Sequence, residues 1–407
     1  MPDPYLIIGG GQAAAQAVAS LRQGGYAGPL VLIGEEAFLP YQRPPLSKKF
    51  LAGELERERL LIRPEAFYEG VDWRPGLRVE AIDRKAKRAT LSGGGSVPYE
   101  KLLLATGSRV RTLPIPGTEL ENVHYLRTIA DVEAIRADLA GAKRLVVVGG
   151  GYIGLEAAAV CRKLGLEVTV LEMEARVMSR VTAPVMSEFF EAVHAGEGVD
   201  IRTGVRVAAI EGGARAERVL SADNEAFPAD LVVIGAGIVP NQELAAEAGL
   251  ACDDGILVDD GAHTGDADIF AAGDCTRFPC AAAEGRLVRL ESVQNAIDQA
   301  KTAAASMCGR RSPYVEVPWF WSDQYDLKLQ IGGLSQGHDA CVLRGAPESR
   351  RFAAFYLKGG RVIAVDAVNS PPEYLVGRKL VAARAEVPPE RLADTSVPMK
   401  ELGAPWM

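Results

Sequence analysis

The 407-residue sequence has little of what marks several common protein classes. Its six cysteines, at positions 161, 252, 275, 280, 308 and 341, are too few for the length to build a disulfide framework. None forms a C-x-x-C pair. Cys275 and Cys280 have neither a second pair nor nearby histidines, so no metal site is expected. Positive charge is not in excess: 45 Lys and Arg stand against 53 Asp and Glu, a net charge of -8. That balance argues against a broad basic face for nucleic acid or anionic lipid. No apolar run approaches the ~20 residues needed to cross a bilayer. The N-terminus has no basic segment leading into an apolar core of signal-peptide length. These absences lead to the expectation of a cytoplasmic protein with no membrane or nucleic-acid partner. What is present is 48% hydrophobic residues and 43 glycines, with many of the glycines in short runs after apolar stretches. At roughly 150 residues per domain, the length suggests two to three domains.

The most informative feature is an internal repeat. Residues 5–14 read YLIIGGGQAA and residues 145–156 read LVVVGGGYIGLE. Each is a short β-branched run, a glycine turn and a small-residue helix start. The first fits G-x-G-x-x-A with Gly9, Gly11 and Ala14; the second fits G-x-G-x-x-G with Gly149, Gly151 and Gly154. In this pattern the first glycine makes the tight turn, the second lets backbone approach a pyrophosphate, and the third packs helix on strand. The phosphates then meet free N–H groups at a helix N-terminus. A second apolar strand follows each copy, leading to Glu35 and to Glu172. Both acids lie a little over ~20 residues past the first glycine, where a carboxylate can accept ribose hydroxyls. Two dinucleotides are expected.

Three further segments read as buried strands ending in small-residue turns: KLLLATGS at 101–108, ADLVVIGAGIVPN at 229–241 and TGDADIFAAGDC at 264–275. An acid placed as Asp274 is can bond a ribityl chain or cap the next helix. The glycine cluster 93–95 reads as a hairpin turn.

With these motifs the chain resembles the flavoprotein pyridine nucleotide–disulfide oxidoreductases, and within them the NADH-dependent ferredoxin reductases of bacterial oxygenase systems. The likeness runs through both fingerprints, ATGS at 105–108, DIFAAGD at 268–274, PYQRPPLSK at 40–48 and WFWSDQ at 319–324. It implies an α/β fold of glutathione reductase type, with two Rossmann-like dinucleotide-binding domains and an α+β C-terminal domain. FAD is implied for the first cradle and NADH for the second. The implied FAD contacts are Gly9, Gly11, Ala14, Glu35, Arg43, Lys48, Val79, Ala105, Thr106, Gly107, Arg127, Asp274 and Val293. The implied NAD contacts are Gly149, Gly151, Tyr152, Ile153, Gly154, Glu156, Glu172 and Gly237.

By the same resemblance Lys48 lies near the reactive edge of the flavin, and Glu156 faces the nicotinamide pocket, paired with Lys48. Positive charge at Lys48 would favour reduced flavin and orient the hydride donor. A tryptophan of 319–324, for which Trp321 is the choice, is implied at the flavin's exposed edge, although core packing is an alternative for one of Trp319 and Trp321. The backbone N–H at Val293 would face the pyrimidine ring.

Coenzyme choice follows from charge. Glu172 and Glu174 lie where a 2′-phosphate would sit, and like charges at ~5 Å and an effective dielectric of ~20 repel by roughly 3 kcal/mol. Arg176 offsets part of that, and NADH is expected over NADPH. The cysteines bear on the reaction. Residues 40–48 hold none, and Cys161 falls in the second-cradle helix as a buried structural thiol. Without a thiol relay, electrons must leave the flavin directly, one at a time, to a carrier. The resemblance implies a [2Fe-2S] ferredoxin, bound transiently, that feeds a cytochrome P450 or a ring-hydroxylating dioxygenase. Arg310 and Arg311 are candidate contacts for it.

The expected layout is an FAD domain at 1–112 and 240–318, an NADH domain at 113–239 and a C-terminal domain at 319–407. A rubredoxin reductase or an NADH oxidase would share the same cradles. A redox signalling flavoprotein similar to apoptosis-inducing factor is disfavoured by the net charge of -8.

Overall fold

The computed structural model describes residues 2–406 and divides into two compact units. The first comprises Met1–Gln42, Leu60–Arg109 and Val239–Phe320. Its centre is a parallel sheet of five strands in the order Ile269–Ala271, Lys101–Leu104, Tyr5–Ile8, Leu30–Gly34 and Val71–Pro75. Tyr5–Ile8 and Leu30–Gly34 are buried along their whole length, which is why both read as unbroken apolar runs. The helices Gln12–Gln23 and Val293–Met307 close one core with this sheet, mostly through alanines such as Ala14, Ala17, Ala300 and Ala304. Small side chains let the helix backbones approach closely, and the Tyr5 hydroxyl donates to the Met307 carbonyl at 3.0 Å. The hairpin expected at 93–95 joins the antiparallel strands Arg88–Leu91 and Ser96–Pro98.

The second unit comprises Arg43–Arg59, Val110–Ile238 and Trp321–Met407. It repeats the parallel arrangement, with strands in the order Val199–Arg202, Glu167–Leu171, Arg144–Val148, Leu231–Ile234 and Val123–Tyr125. The helices Ile129–Leu139, Tyr152–Lys163 and Pro184–Gly196 belong to this unit. Residues 43–59 are tied to it by buried Leu46, Phe50 and Leu51, by Arg136 over the Phe50 ring and by an Arg57–Glu133 ion pair. The C-terminal residues form a five-stranded sheet with the helix Pro371–Ala382. Among the described residues no helix is long and apolar enough to cross a membrane.

One carboxylate of that sheet is wholly enclosed. Asp366, in the strand Arg361–Val368, accepts hydrogen bonds at one oxygen from Thr182 (2.7 Å) and Tyr356 (2.6 Å). Burial pushes its pKa up to about 6, and the two hydroxyls hold it back only in part. A carboxyl whose folded pKa exceeds its unfolded value stabilises the fold fully at low pH and loses that contribution as pH rises through the folded value. Two units correspond to on the order of 3 kcal/mol between pH 4 and pH 7. In Asp366→Asn an amide oxygen still accepts from Thr182 and Tyr356. The variant's thermal midpoint is therefore expected to fall less than the wild type's between pH 5 and pH 7.5. Parallel curves for the two proteins would show that Asp366 does not titrate in this range.

Candidate functional site: two glycine cradles and a buried ion pair

In the first unit, Gly9 turns the chain from strand Tyr5–Ile8 into helix Gln12–Gln23 with φ +125°. A Cβ there would sit 2.0 Å from the carbonyl oxygen of Ala105. The Ala105–Thr106–Gly107 loop thus presses against the glycine turn, and no other residue fits. Gly11 caps the helix without a side-chain hydrogen bond, and the first turn holds no acid. A Cβ on Gly11 would meet nothing within 4 Å. The helix start therefore offers N–H groups and positive dipole to an anion as large as a pyrophosphate. Ala14 is fully buried, which places it as the helix-on-strand packing residue.

Asn241 clamps the loop from the opposite side, and sequence reasoning missed it. Its amide donates to the Thr106 carbonyl (2.9 Å), its own carbonyl accepts from the Thr106 hydroxyl (2.7 Å), and its N–H donates to Gly107 (2.9 Å). Asp274 accepts from the Ser108 hydroxyl at 2.8 Å, at the end of the same loop. Val293 opens the helix Val293–Met307, where Ser292 caps the N–H of Asn295 and the first turn again lacks an acid. Gln294, the next residue, accepts from the Trp319 N–H at 3.1 Å and so brings the aromatic segment to that helix start. Val79 is buried at the start of strand Val79–Asp83.

In the second unit, Gly149 has φ +109°, and a Cβ there would lie 2.5 Å from the Gly235 carbonyl oxygen. A Cβ on Gly154 would lie 2.1 Å from the Gly149 oxygen, while one on Gly151 would meet nothing within 4 Å. Gly151 caps the helix Tyr152–Lys163 without a side-chain bond, and its first turn also has no acid. The helix Ile129–Leu139 shows the contrast: it is closed by a capping box from Thr128 and Asp131. Tyr152 buries its hydroxyl, while Ile153 is exposed at the helix start. Gly237 accepts from the Arg111 N–H at 2.9 Å, and the Arg180 guanidinium lies 3.3 Å from where its Cβ would be.

The two acids are not equivalent. Ile8 pairs with Ile33 and Val148 with Leu171. Counting on from these pairs, Glu172 matches Gly34, and Glu35 stands one residue further out. Glu172 accepts from the N–H of Gly150 (2.6 Å) and of Glu174 (2.8 Å). In the first cradle Gly34 leaves that place to Trp73, whose ring lies 2.5 Å from where a Gly34 Cβ would be. Glu35 is exposed. Arg176 donates to Ser187 (2.7 Å) and to the Ser179 carbonyl (2.8 Å), so it is committed within the protein.

The second unit also holds the ion pair. The Lys48 ammonium is 2.6 Å from Glu156 Oε2, with side chains 17% and 4% exposed. Ser47 donates to the same oxygen at 2.5 Å, and Ser322 donates to Glu156 Oε1 at 2.6 Å. A carboxylate this enclosed needs such donors, because desolvation of an unpaired charge costs several kcal/mol. Arg43 donates to the Arg127 carbonyl at 2.7 Å, so two of the basic residues singled out from sequence meet. Trp321 is half-buried in strand Trp319–Gln324, two residues from Trp319 and so on the same strand face.

All six cysteines are free thiols. Cys161 is fully buried, and burial pushes its thiol up to about 12. Cys275 and Cys280 are buried too, with their thiols pushed up by desolvation. Arg310 lies over the end of helix Gln12–Gln23, its guanidinium 2.5 Å from where a Gly24 Cβ would be, while Arg311 is 85% exposed and 3.9 Å from Asp260.

Residues 3–300 match the family described as pyridine nucleotide-disulphide oxidoreductase, and residues 319–403 match the reductase C-terminal family. The chain belongs to the pyridine nucleotide-disulphide oxidoreductases. It is 45% identical to rhodocoxin reductase of Rhodococcus erythropolis, over 97% of this chain and 93% of that one. It is 46% identical to the 5,5'-dehydrodivanillate O-demethylase ferredoxin reductase subunit of a Sphingobium species, over 98% of each. Among solved structures, the covalent putidaredoxin reductase–putidaredoxin complex superposes with a TM-score of 0.96 at 43% identity, covering 99% of both chains. This oxidoreductase therefore shares 97–99% of its length with ferredoxin reductases such as these.

Proposed function

We propose that this oxidoreductase passes reducing equivalents from NADH through FAD to a [2Fe-2S] ferredoxin in the cytoplasm, and that the ferredoxin feeds a cytochrome P450 or a ring-hydroxylating dioxygenase. The observation that carries the reading is that one chain holds two uncapped glycine cradles, a buried Lys48–Glu156 pair, and no cysteine in residues 40–48. FAD held there would supply the exchange of a two-electron hydride for single electrons.

The residues divide the work. The start of helix Gln12–Gln23, the clamped Ala105–Thr106–Gly107 loop, Glu35, Val79 and Asp274 hold FAD, and Arg43, Arg127 and Val293 contact its ring. The start of helix Tyr152–Lys163, with Tyr152, Ile153, Glu172 and Gly237, holds NADH. Lys48 supplies fixed positive charge where negative charge develops on reduction, Glu156 keeps its ammonium in place, and Trp321 covers the flavin edge. Arg311, exposed beyond the helix Val293–Met307, and its neighbour Arg310 contact an acidic ferredoxin. The domain reading that accompanies this division is FAD at 1–112 and 240–318, NADH at 113–239 and a C-terminal domain at 319–407.

Anaerobic mixing with NADH and a purified [2Fe-2S] ferredoxin is expected to bleach the cluster's visible bands, saturably in ferredoxin. If NADH bleaches the flavin while several ferredoxins stay oxidised, the acceptor assignment fails, and rubredoxin and oxygen are the next acceptors to test.

Coenzyme choice rests on Glu172. Arg176 donates to the neutral Ser187 hydroxyl and Ser179 carbonyl and keeps its charge, so it offsets the carboxylate only in part. Removing one unit charge at ~5 Å and an effective dielectric of ~20 is worth roughly 3 kcal/mol, and loss of the hydrogen bonds to Gly150 and Glu174 takes back part of it. In Glu172→Ser the kcat/KM ratio for NADH over NADPH is expected to fall by on the order of tenfold or more. An unchanged ratio would place the discriminating charge elsewhere.

A further inference from the structure

A row of enclosed polar side chains ends on Glu156. Ser322 donates to Glu156 Oε1 at 2.6 Å, and Gln324 Nε2 donates to Ser322 Oγ at 3.2 Å. His194 Nε2 lies 2.8 Å from Gln324 Oε1, and the Tyr325 hydroxyl lies 3.2 Å from His194 Nδ1. Ser322, Gln324 and His194 are each at most 1% exposed. Ser322 and Gln324 share the inward face of strand Trp319–Gln324, and His194 comes from the last turn of helix Pro184–Gly196.

The proton positions follow from counting donors. Glu156, paired with Lys48, is a carboxylate and can only accept, so the single Ser322 proton goes to it. Ser322 Oγ then needs a donor, which must be the Gln324 amide nitrogen. That turns Gln324 Oε1 toward His194, so His194 must carry its proton on Nε2. Nδ1 is left as an acceptor for the Tyr325 hydroxyl. Burial favours both states: it pushes His194 down, toward neutral, and Tyr325 up, toward the protonated phenol. Every hydrogen bond in the row therefore donates toward Glu156.

We propose that His194 is a positioning residue for Glu156, acting through Gln324 and Ser322. The row pins Oε1, which leaves Oε2 to Ser47 and Lys48 and fixes the direction of the ammonium. The amide of Gln324 could otherwise turn over, and Ser322 could rotate its proton away. A histidine locked in one tautomer prevents both. This rests on the reading that the Lys48–Glu156 pair faces the reacting groups.

The first test is the tautomer in the FAD-loaded protein. The sequence has four histidines, so imidazole 15N labelling gives at most four rings to assign. At pH 7.5 the His194 ring is expected to show a protonated Nε2 with slow proton exchange and a bare Nδ1. A proton on Nδ1 would overturn the proposal without any variant having to fold.

The second test is rapid-mixing reduction of the bound flavin by NADH. Ser322→Ala, Gln324→Leu and His194→Leu are each expected to slow it roughly threefold to tenfold, as loss of one hydrogen bond predicts. His194→Gln, which keeps a donor near the Nε2 position, should recover most of the rate. The double variant Ser322→Ala/His194→Leu should be no slower than the slower single variant, because both cut one row. Multiplying effects would mean that His194 acts by another route, and the proposal would fall. If Glu156→Gln leaves flavin reduction untouched while the Nε2 tautomer persists, the row stands and the role assigned to the Lys48–Glu156 pair fails instead.

Discussion

Gly9→Ala is expected to purify without flavin, whereas Gly149→Ala keeps its flavin and loses reduction by NADH. Both glycines have φ values that L side chains rarely adopt, +125° and +109°. In each case the new methyl would strike a backbone carbonyl, Ala105 at 2.0 Å or Gly235 at 2.5 Å, and no side-chain rotation relieves that. The loop leaving the neighbouring strand, Lys101–Leu104 or Leu231–Ile234, must move, and a cost on the order of 4 kcal/mol is expected for overpacking at a strained turn. Gly11→Ala separates sterics from binding. A methyl there meets no protein atom within 4 Å, so the variant should fold with an unchanged midpoint and hold FAD more weakly. The readouts are the ratio of flavin to protein absorbance and the thermal midpoint. A colourless Gly149→Ala beside a yellow Gly9→Ala would reverse the order of the two cradles.

Lys48→Ala and Glu156→Gln should each slow flavin reduction by NADH about a hundredfold, the usual effect of removing one preorganised electrostatic group. Their stabilities should differ. Lys48→Ala leaves a carboxylate 4% exposed with, among the described residues, Ser47 and Ser322 as its side-chain donors, and stranding a buried charge typically costs about 3–5 kcal/mol. Glu156→Gln strands the ammonium instead, which is 17% exposed and has the Pro44 carbonyl as a neighbour at 3.3 Å, so its loss should be smaller. Rapid mixing gives the rates and thermal melting the stabilities. Two variants with lowered midpoints and normal rates would make the pair a purely structural tie between residues 43–59 and the helix Tyr152–Lys163.

Much of the site could be read from the sequence because glycine spacing reports backbone geometry directly. G-x-G after a β-branched run has few structural meanings, and both copies became turns in which the first glycine touches a carbonyl and the second faces open space. Ala14 and Gly154 fell where helix must meet strand. The Lys48–Glu156 pair, by contrast, was reached through resemblance, since the two residues are far apart in sequence and neither is unusual alone. Asn241 and Trp73 had no local signal. Asn241 acts through three hydrogen bonds to a loop more than a hundred positions away. Trp73 matters because Gly34, on a neighbouring strand, leaves room for its ring.

By itself the sequence determined the two nucleotide cradles, the absence of a thiol pair at 40–48 and the family, because short-range patterns of glycine, β-branched residues and cysteine carry that information within a few positions. Tertiary structure alone decided which side chains share the Glu156 carboxylate and which acid meets a glycine N–H. It also decided that Arg176 is spent on Ser187 and that His194 and Asp366 lie buried among polar partners. Those outcomes depend on strand register and on desolvation. A one-residue offset in register separates Glu172 from Glu35, and burial gives each enclosed polar group a definite partner, which no local pattern can specify.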